Sequence, residues 1–374
     1  MTVSSPAQSG RATVVAVDLL QSRVSLPAPV TLGPNTISFR DYVSIRLRFS
    51  DGSEGHATGF ERGLPLFDIV RRIAPLCLGR SAAERGAVRE AGLGATPAAR
   101  PVNIRAVSLC DIALWEGYCR QRGEPLWAVL GGVRSRLPVM PVIGYGATPE
   151  RIADQCRDLA DRGFSLIKIM IDGTDVATDR ALMTAAQRAM PAGVAFGIDA
   201  HWSWRTPEEA WPTCRIAEEC GAAFIEDPFA PSQWRAIAAL QERFSVPLAV
   251  GEDVIDRHGF RDLAEAARIL RIDASVSGGI AGALEAVALA HVHDRSVIPH
   301  VFPALHAHLG FAHRTVTCVE MILPEVGADP IDRLHVDQPV VEDGHILAPD
   351  TPGASTALDF ERLAAFATRT ETIR

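Results

Sequence analysis

Three short apolar runs end in a carboxylate: Phe196-Gly197-Ile198-Asp199, Phe224-Ile225-Glu226 and Ala249-Val250-Gly251-Glu252. The acids stand 27 and 26 residues apart. An acid at a strand end commonly caps the following helix. Three in succession at this spacing point instead to one shared site, because clustered carboxylates repel unless a cation joins them. Three hard oxygen ligands suit Mg²⁺ better than zinc. Asp273 and His300 follow on the next two apolar runs. A carboxylate that holds one imidazole nitrogen leaves the other as an oriented general base. Of the 37 basic residues only one, Lys168, is a lysine, and apolar neighbours flank it on both sides. Any role that needs a compact ammonium falls to it, since arginine is too basic and too broad to replace lysine there.

These groups converge if the runs are strands of one sheet. Strands are expected at Leu137–Ile143, Ser165–Met170, Val194–Asp199, Ala223–Glu226, Pro247–Val250, Arg271–Ser275, Ser296–Pro299 and Thr315–Ile322, alternating with amphipathic helices. Thr148 and Thr206 each precede a Pro-Glu pair, an N-cap followed by proline at the first helical position. Eight strands in βα alternation predict a closed barrel, whose chemistry sits at the C-terminal ends of its strands. Residues 136–339 are assigned to that barrel. Residues 1–135 read as an α+β domain, with alternation over 14–60, a hairpin turn at Asp51-Gly52 and helices over 65–130. Residues 340–374 are expected to return to it.

The charge balance of −8 and the lack of a basic run give no footprint for nucleic acid or an anionic membrane. No charged segment followed by an apolar stretch opens the chain, so a soluble, cytoplasmic protein is expected. Seven cysteines without a CxxC pair read as reduced, buried thiols. Gly278-Gly279-Ile280-Ala281-Gly282 lacks the spacing of a dinucleotide-binding loop.

The segments Asp111–Glu116, Pro125-Leu126, Leu130-Gly131-Gly132, Lys168-Ile169-Met170, Asp199-Ala200-His201, Ile225-Glu226-Asp227-Pro228, Gly251-Glu252, Gly278-Gly279-Ile280 and Pro299-His300 occur in an order that resembles the enolase superfamily, specifically its mandelate racemase subgroup. The resemblance spans nearly the whole chain. It implies an α+β capping domain over a (β/α)7β TIM-like barrel, essential Mg²⁺, a small carboxylate substrate, and abstraction of an α-proton to give a metal-stabilised enediolate. Asp199, Glu226 and Glu252 match the metal ligands, and Asp273 with His300 matches the His-Asp dyad. Glu320 matches the acid that hydrogen-bonds the substrate carboxylate, and Lys168 the first lysine of a Lys-x-Lys pair. Met170 replaces the second lysine, the usual base on the opposite face. His201 stands where an asparagine is often found and resembles a general acid of the mannonate dehydratase branch. In an extended strand it would face the same side as Asp199. The resemblance also implies a homo-oligomer, dimer to octamer.

One competent base suffices for dehydration, so the first expectation is a dehydratase of an acid sugar, an aldonate or aldarate, giving a 2-keto-3-deoxy acid. The alternatives are a racemase or epimerase of a 2-hydroxy acid with Lys168 or His201 as opposite base, and a non-catalytic metal-binding barrel. Cycloisomerisation and succinylbenzoate synthesis are disfavoured, since those branches place a lysine on the sixth strand. Substrate contacts are expected from capping loops near Val30–Phe39 and Gly52–Gly63, with Arg40, His56 and Arg62 as candidates.

Overall fold

The computed structural model describes residues 11–32, 35–94, 97–330 and 334–374. Strands β1 (Val14–Leu32), β2 (Asn35–Phe49) and β3 (Glu54–Phe60) form an antiparallel sheet. The segment Val30–Phe39 is the end of the β1–β2 ladder rather than an irregular loop, and residues 33 and 34 within it lie outside the described residues. The 23-residue helix Arg100–Arg122 packs on β3 on one side and on the barrel helix Gly279–Val292 on the other. Gly55 permits the first contact, because a β-carbon there would collide with the Ala113 carbonyl.

The barrel strands are β4 (Arg136–Ile143), β5 (Leu166–Met170), β6 (Ala195–Asp199), β7 (Ile225–Glu226), β8 (Leu248–Val250), β9 (Ile269–Ile272), β10 (Ser296–Pro299) and β11 (Val319–Met321). Parallel pairing runs from β4 through β10, β11 pairs with β4, and a Val297–Val316 bridge closes the ring. Seven helices connect the eight strands, which makes the (β/α)7β barrel that was expected. Thr148 and Thr206 cap two of them, accepting from the Arg151 and Glu209 amides at 3.4 Å. All seven cysteines are buried free thiols.

Three strands differ most from expectation, the fourth being shortened to Ile225–Glu226. The sixth barrel strand starts and stops earlier, because Asp273 turns the chain: its Oδ1 accepts from the Ser275 amide and hydroxyl, and its carbonyl from Val276 and Ser277. Asp273 thus stands just beyond the strand. The eighth is confined to Val319–Met321, with Thr315–Thr317 outside it and joined to β10 by the bridge.

After Val340 the chain does two things. The hairpin β12 (Val341–Glu342) and β13 (His345–Leu347) pairs antiparallel with β4 of the barrel, while β14 (Ala367–Ile373) adds to β1 of the capping sheet. Among the described residues, no helix is long and apolar enough to cross a membrane.

Candidate active site

The resemblance segments from the capping domain turn out to join it to the barrel. Asp111 Oδ2 accepts from the Ala281 amide at 3.1 Å, and Ser108 Oγ from the Gly278 amide at 2.8 Å. Gly278 and Gly279 both adopt positive φ, and a β-carbon on Gly279 would strike the Asp111 carboxylate. Burial pushes the Asp111 carboxyl up to about 7, with the Ala281 amide opposing. This joint fixes the turn between Asp273 and the helix at Gly279. On the barrel side, His306 donates from Nδ1 to the Val301 carbonyl at 2.7 Å and accepts the Ala274 amide on Nε2 at 3.0 Å.

The strand ends meet below a cavity of 440 Å³. Lys168, Met170, Asp199, His201, Glu252, His300 and Glu320 line it from the barrel, and Ile37, Arg40, Phe60 and Arg62 from the capping domain. Glu226 and Asp273 lie in the floor, fully buried.

Lys168 is the hub of one half. Its Nζ is 2.9 Å from Asp199 Oδ2, 2.9 Å from Glu226 Oε1 and 3.1 Å from Glu320 Oε1. Burial disfavours its charge, but Asp199 and Glu226 outweigh that and raise its pKa above the ordinary value. Burial likewise acts to raise Asp199, yet Lys168 and His201 hold it below the usual carboxylate range. Glu226 goes the other way: burial pushes it up to about 7 against the pull of Arg271 and Lys168.

His300 is the centre of the other half. Its Nδ1 is 3.0 Å from Asp273 Oδ2. With Nδ1 donating to that carboxylate, Nε2 carries the lone pair. Arg62 Nη2 donates to Nε2 at 3.2 Å, and Arg62 Nη1 reaches Glu252 Oε1 at 3.3 Å and Asp253 Oδ2 at 3.1 Å. Burial drives His300 well below the ordinary imidazole range, and the charge of Arg62 adds to this against Glu252. Burial would raise Glu252, but His300 and Arg62 bring it below its usual value.

Among the described residues, one group of acids offers ligand atoms mutually within 4.8 Å: Glu226, Asp227 and Glu252. Asp199 is drawn to Lys168 rather than into that group. Glu226 Oε2 and both Asp227 oxygens are buried without a hydrogen-bond partner. Buried carboxylates with open lone pairs and only oxygen donors around them fit a hard divalent cation.

His201 faces the cavity, though not as an extended residue. The chain turns at φ 45° there and 58° at Trp202, and the two rings stack at 4.7 Å. The turn is held by the His201 amide donating to Asp199 Oδ1 at 2.9 Å and the Trp202 amide to the Asp227 carbonyl at 2.8 Å. Arg40 and Arg62 both reach the cavity. His56 does not: it packs against Phe360 and accepts the Leu358 amide on Nδ1, so it joins the C-terminal segment to β3.

Arg271, Asp227 and Asp253 were not singled out from the sequence. Arg271 is wholly buried, its Nε 3.0 Å from Glu226 Oε1, its Nη1 2.9 Å from the Ile298 carbonyl, and its Nη2 paired with Glu320 Oε2. The available signal was an arginine inside an apolar strand, which demands buried partners. Asp227 adjoins the candidate ligand Glu226 in sequence, so spacing does not separate the two. Asp253 pairs with Arg105 of the capping helix as well as with Arg62.

Comparison with known proteins agrees with this architecture. Residues 14–131 match the family described as mandelate racemase / muconate lactonizing enzyme, N-terminal domain, and residues 151–363 match enolase C-terminal domain-like. The chain therefore belongs to the mandelate racemase and muconate lactonizing enzyme family of the enolase superfamily. It is 26% identical to an arabinonate dehydratase of Saccharolobus solfataricus over 263 residues, 68% of this chain and 70% of that protein. It is 25% identical to an L-Ala-D/L-Glu epimerase of Bacillus subtilis over 289 residues, 74% of this chain and 77% of the relative. The crystal structure of L-talarate/galactarate dehydratase from Salmonella typhimurium LT2 liganded with Mg and L-lyxarohydroxamate shares the fold, with a TM-score of 0.90 at 22% identity, covering 100% of this chain and 97% of that one.

Proposed function

We propose that the chain is a Mg²⁺-dependent dehydratase of an acid sugar, an aldonate or aldarate, which it converts to a 2-keto-3-deoxy acid. The observation that carries this reading is the asymmetry of the cavity. One wall presents the His300–Asp273 pair, with His300 Nε2 accepting the donation from Arg62 Nη2 at 3.2 Å. The strand that would supply an opposing base presents Met170 and a Lys168 committed to three carboxylates. One base supports elimination, whereas inversion at the α-carbon needs a proton donor on the other face.

The bound cation would supply electrophilic stabilisation of the charge that develops on the substrate carboxylate. Glu226 and Glu252, with Asp199 once released from Lys168, are the residues to hold it. His300 Nε2 takes the C2 proton as the C2–H bond breaks, and Asp273 keeps the imidazole in the required tautomer and orientation. Lys168 presents its ammonium to the developing oxyanion. Glu320, set between Lys168 and Arg271, keeps that ammonium in place. The C3–O bond then breaks and the hydroxyl leaves as water, protonated by His201 or by the now protonated His300. The enol that remains tautomerises to the keto acid.

Arg40 and Arg62 favour a substrate with anionic or richly hydroxylated distal atoms. Domain limits of 1–135 with 340–374 for the cap, apart from the hairpin at 341–347 that pairs with β4, and 136–339 for the barrel, together with a cytoplasmic location and a homo-oligomer of two to eight chains, complete the reading. The test is a panel of mono- and diacid sugars incubated with Mg²⁺ and assayed for keto acid, alongside His300→Asn. Keto acid from at least one member, lost in the variant together with C2–H exchange, is expected. Exchange at the wild-type rate in the variant would remove His300 from the role of base.

Epimerisation of a 2-hydroxy acid is the second reading, favoured by the Bacillus subtilis relative. In D₂O it would return C2-deuterated substrate of inverted configuration with no keto acid.

A further inference from the structure

Asp227 follows Glu226 at the end of β7 and places two unsatisfied oxygens beside Glu226 and Glu252. Its side chain is 1% exposed, and neither carboxylate oxygen has a hydrogen-bond partner. Its backbone is fully engaged: the amide donates to the Ala249 carbonyl at 2.9 Å and the carbonyl accepts from Trp202 at 2.8 Å. Those two bonds hold the residue at φ 42°, in the left-handed region a non-glycine residue seldom adopts. Strain of this kind persists only where the surroundings over-determine it, and it gathers at functional sites. The conformation sets an Asp227 oxygen within 4.8 Å of ligand atoms on Glu226 and Glu252. The charge of Arg271 acts on it, but Arg271 directs its donors to Glu226, Glu320 and the Ile298 and Pro299 carbonyls. Among the described residues this carboxylate thus has no hydrogen-bond partner.

We infer that Asp227 is a fourth carboxylate of the divalent-cation site, accepting the cation or a water that it carries, and that it sets the affinity of the site. Three acids from β6, β7 and β8 would supply the direct ligands of the family pattern. Asp227, which does not line the cavity, would add a fourth acid beside Glu226 and Glu252. The inference rests on the reading that a divalent cation binds here, and not on which acid sugar is converted.

The experiment titrates Mg²⁺ into substrate-free protein by calorimetry, and Mn²⁺ by electron paramagnetic resonance, for wild type, Asp227→Asn and Asp227→Ala. Loss of an outer partner of a metal site typically weakens binding by about 10–100-fold, so at least tenfold weaker binding is expected in both variants. Melting in chelator should rise in Asp227→Asn, because an uncompensated buried charge is gone, and the gain in melting temperature on adding Mg²⁺ should shrink. A wild-type chain that binds neither cation sinks the metal-dependent reading itself. A wild-type chain that binds Mg²⁺ while both variants bind it within twofold overturns the role of Asp227 alone. Should Asp227→Ala fail to fold by circular dichroism, Asp227→Asn decides.

Discussion

Arg62 of the capping domain and His300 of the barrel meet at 3.2 Å, guanidinium Nη2 against imidazole Nε2. The cap thereby touches the nitrogen assigned to proton abstraction. Because a cation beside an imidazole disfavours its protonation, Arg62→Met should raise the pKa of His300 from its depressed value. The sign follows from the need for the unprotonated base. Activity falls as pH drops through the His300 pKa, so the acidic limb of kcat/KM lies well below the ordinary imidazole range in the wild type and moves to higher pH in the variant. A pH profile of both proteins checks this, and an unmoved or downward-moving limb would count against it.

Asp273→Asn removes the acceptor that fixes the His300 tautomer while keeping its volume. General-base catalysis is worth about 10²–10⁴-fold, and an imidazole held in the wrong tautomer forfeits it. A loss of that size in kcat, with C2–H exchange falling in parallel and Mg²⁺ affinity held, is the expected outcome of steady-state kinetics, NMR exchange and calorimetry together. Loss of Mg²⁺ affinity alone would mean that Asp273 acts through the cation site.

Arg271 is buried between Glu226 and Glu320. Removing one partner of a buried ionic group leaves uncompensated charge and costs about 3–5 kcal/mol. Arg271→Leu should lose stability of that order in urea unfolding in chelator. Mg²⁺ should restore more stability to it than to the wild type, since the freed carboxylates gain a second source of positive charge. Equal stabilisation of the two proteins by Mg²⁺ would contradict the coupling.

Met170 stands where the resemblance has the second lysine of the Lys-x-Lys pair, and Lys168 on the same strand is tied to Asp199, Glu226 and Glu320. Substrate recovered from D₂O after partial turnover should therefore carry deuterium, if any, only in its original configuration at C2. Measurable inverted epimer by NMR would transfer the assignment to the isomerase reading.

The acids at strand ends were legible because each closes an apolar run, and a run that stops at a carboxylate marks both an element and its terminus. Lys168 was legible by rarity. Arg271 was hidden by the same logic, since an arginine looks like the edge of a strand, and the expected sixth strand starts two residues and ends three residues downstream of its true limits. His56 was misjudged because alternation along β3 says which residues share a face but not what covers that face. Its cover is the C-terminal segment around Leu358 and Phe360. Asp227 could not be separated from Glu226 by spacing. Its distinction lies in a left-handed backbone and in what its oxygens lack.

The lone lysine sits at the crossing point of Asp199, Glu226 and Glu320. A chain with one such side chain turns isotope labelling into a single-site measurement. Protein grown on ε-¹⁵N-lysine would give one side-chain ammonium resonance, from the floor of the cavity and free of overlap. Its shift on adding a cation or a substrate would follow the partner exchange at Asp199 directly, without an assignment experiment.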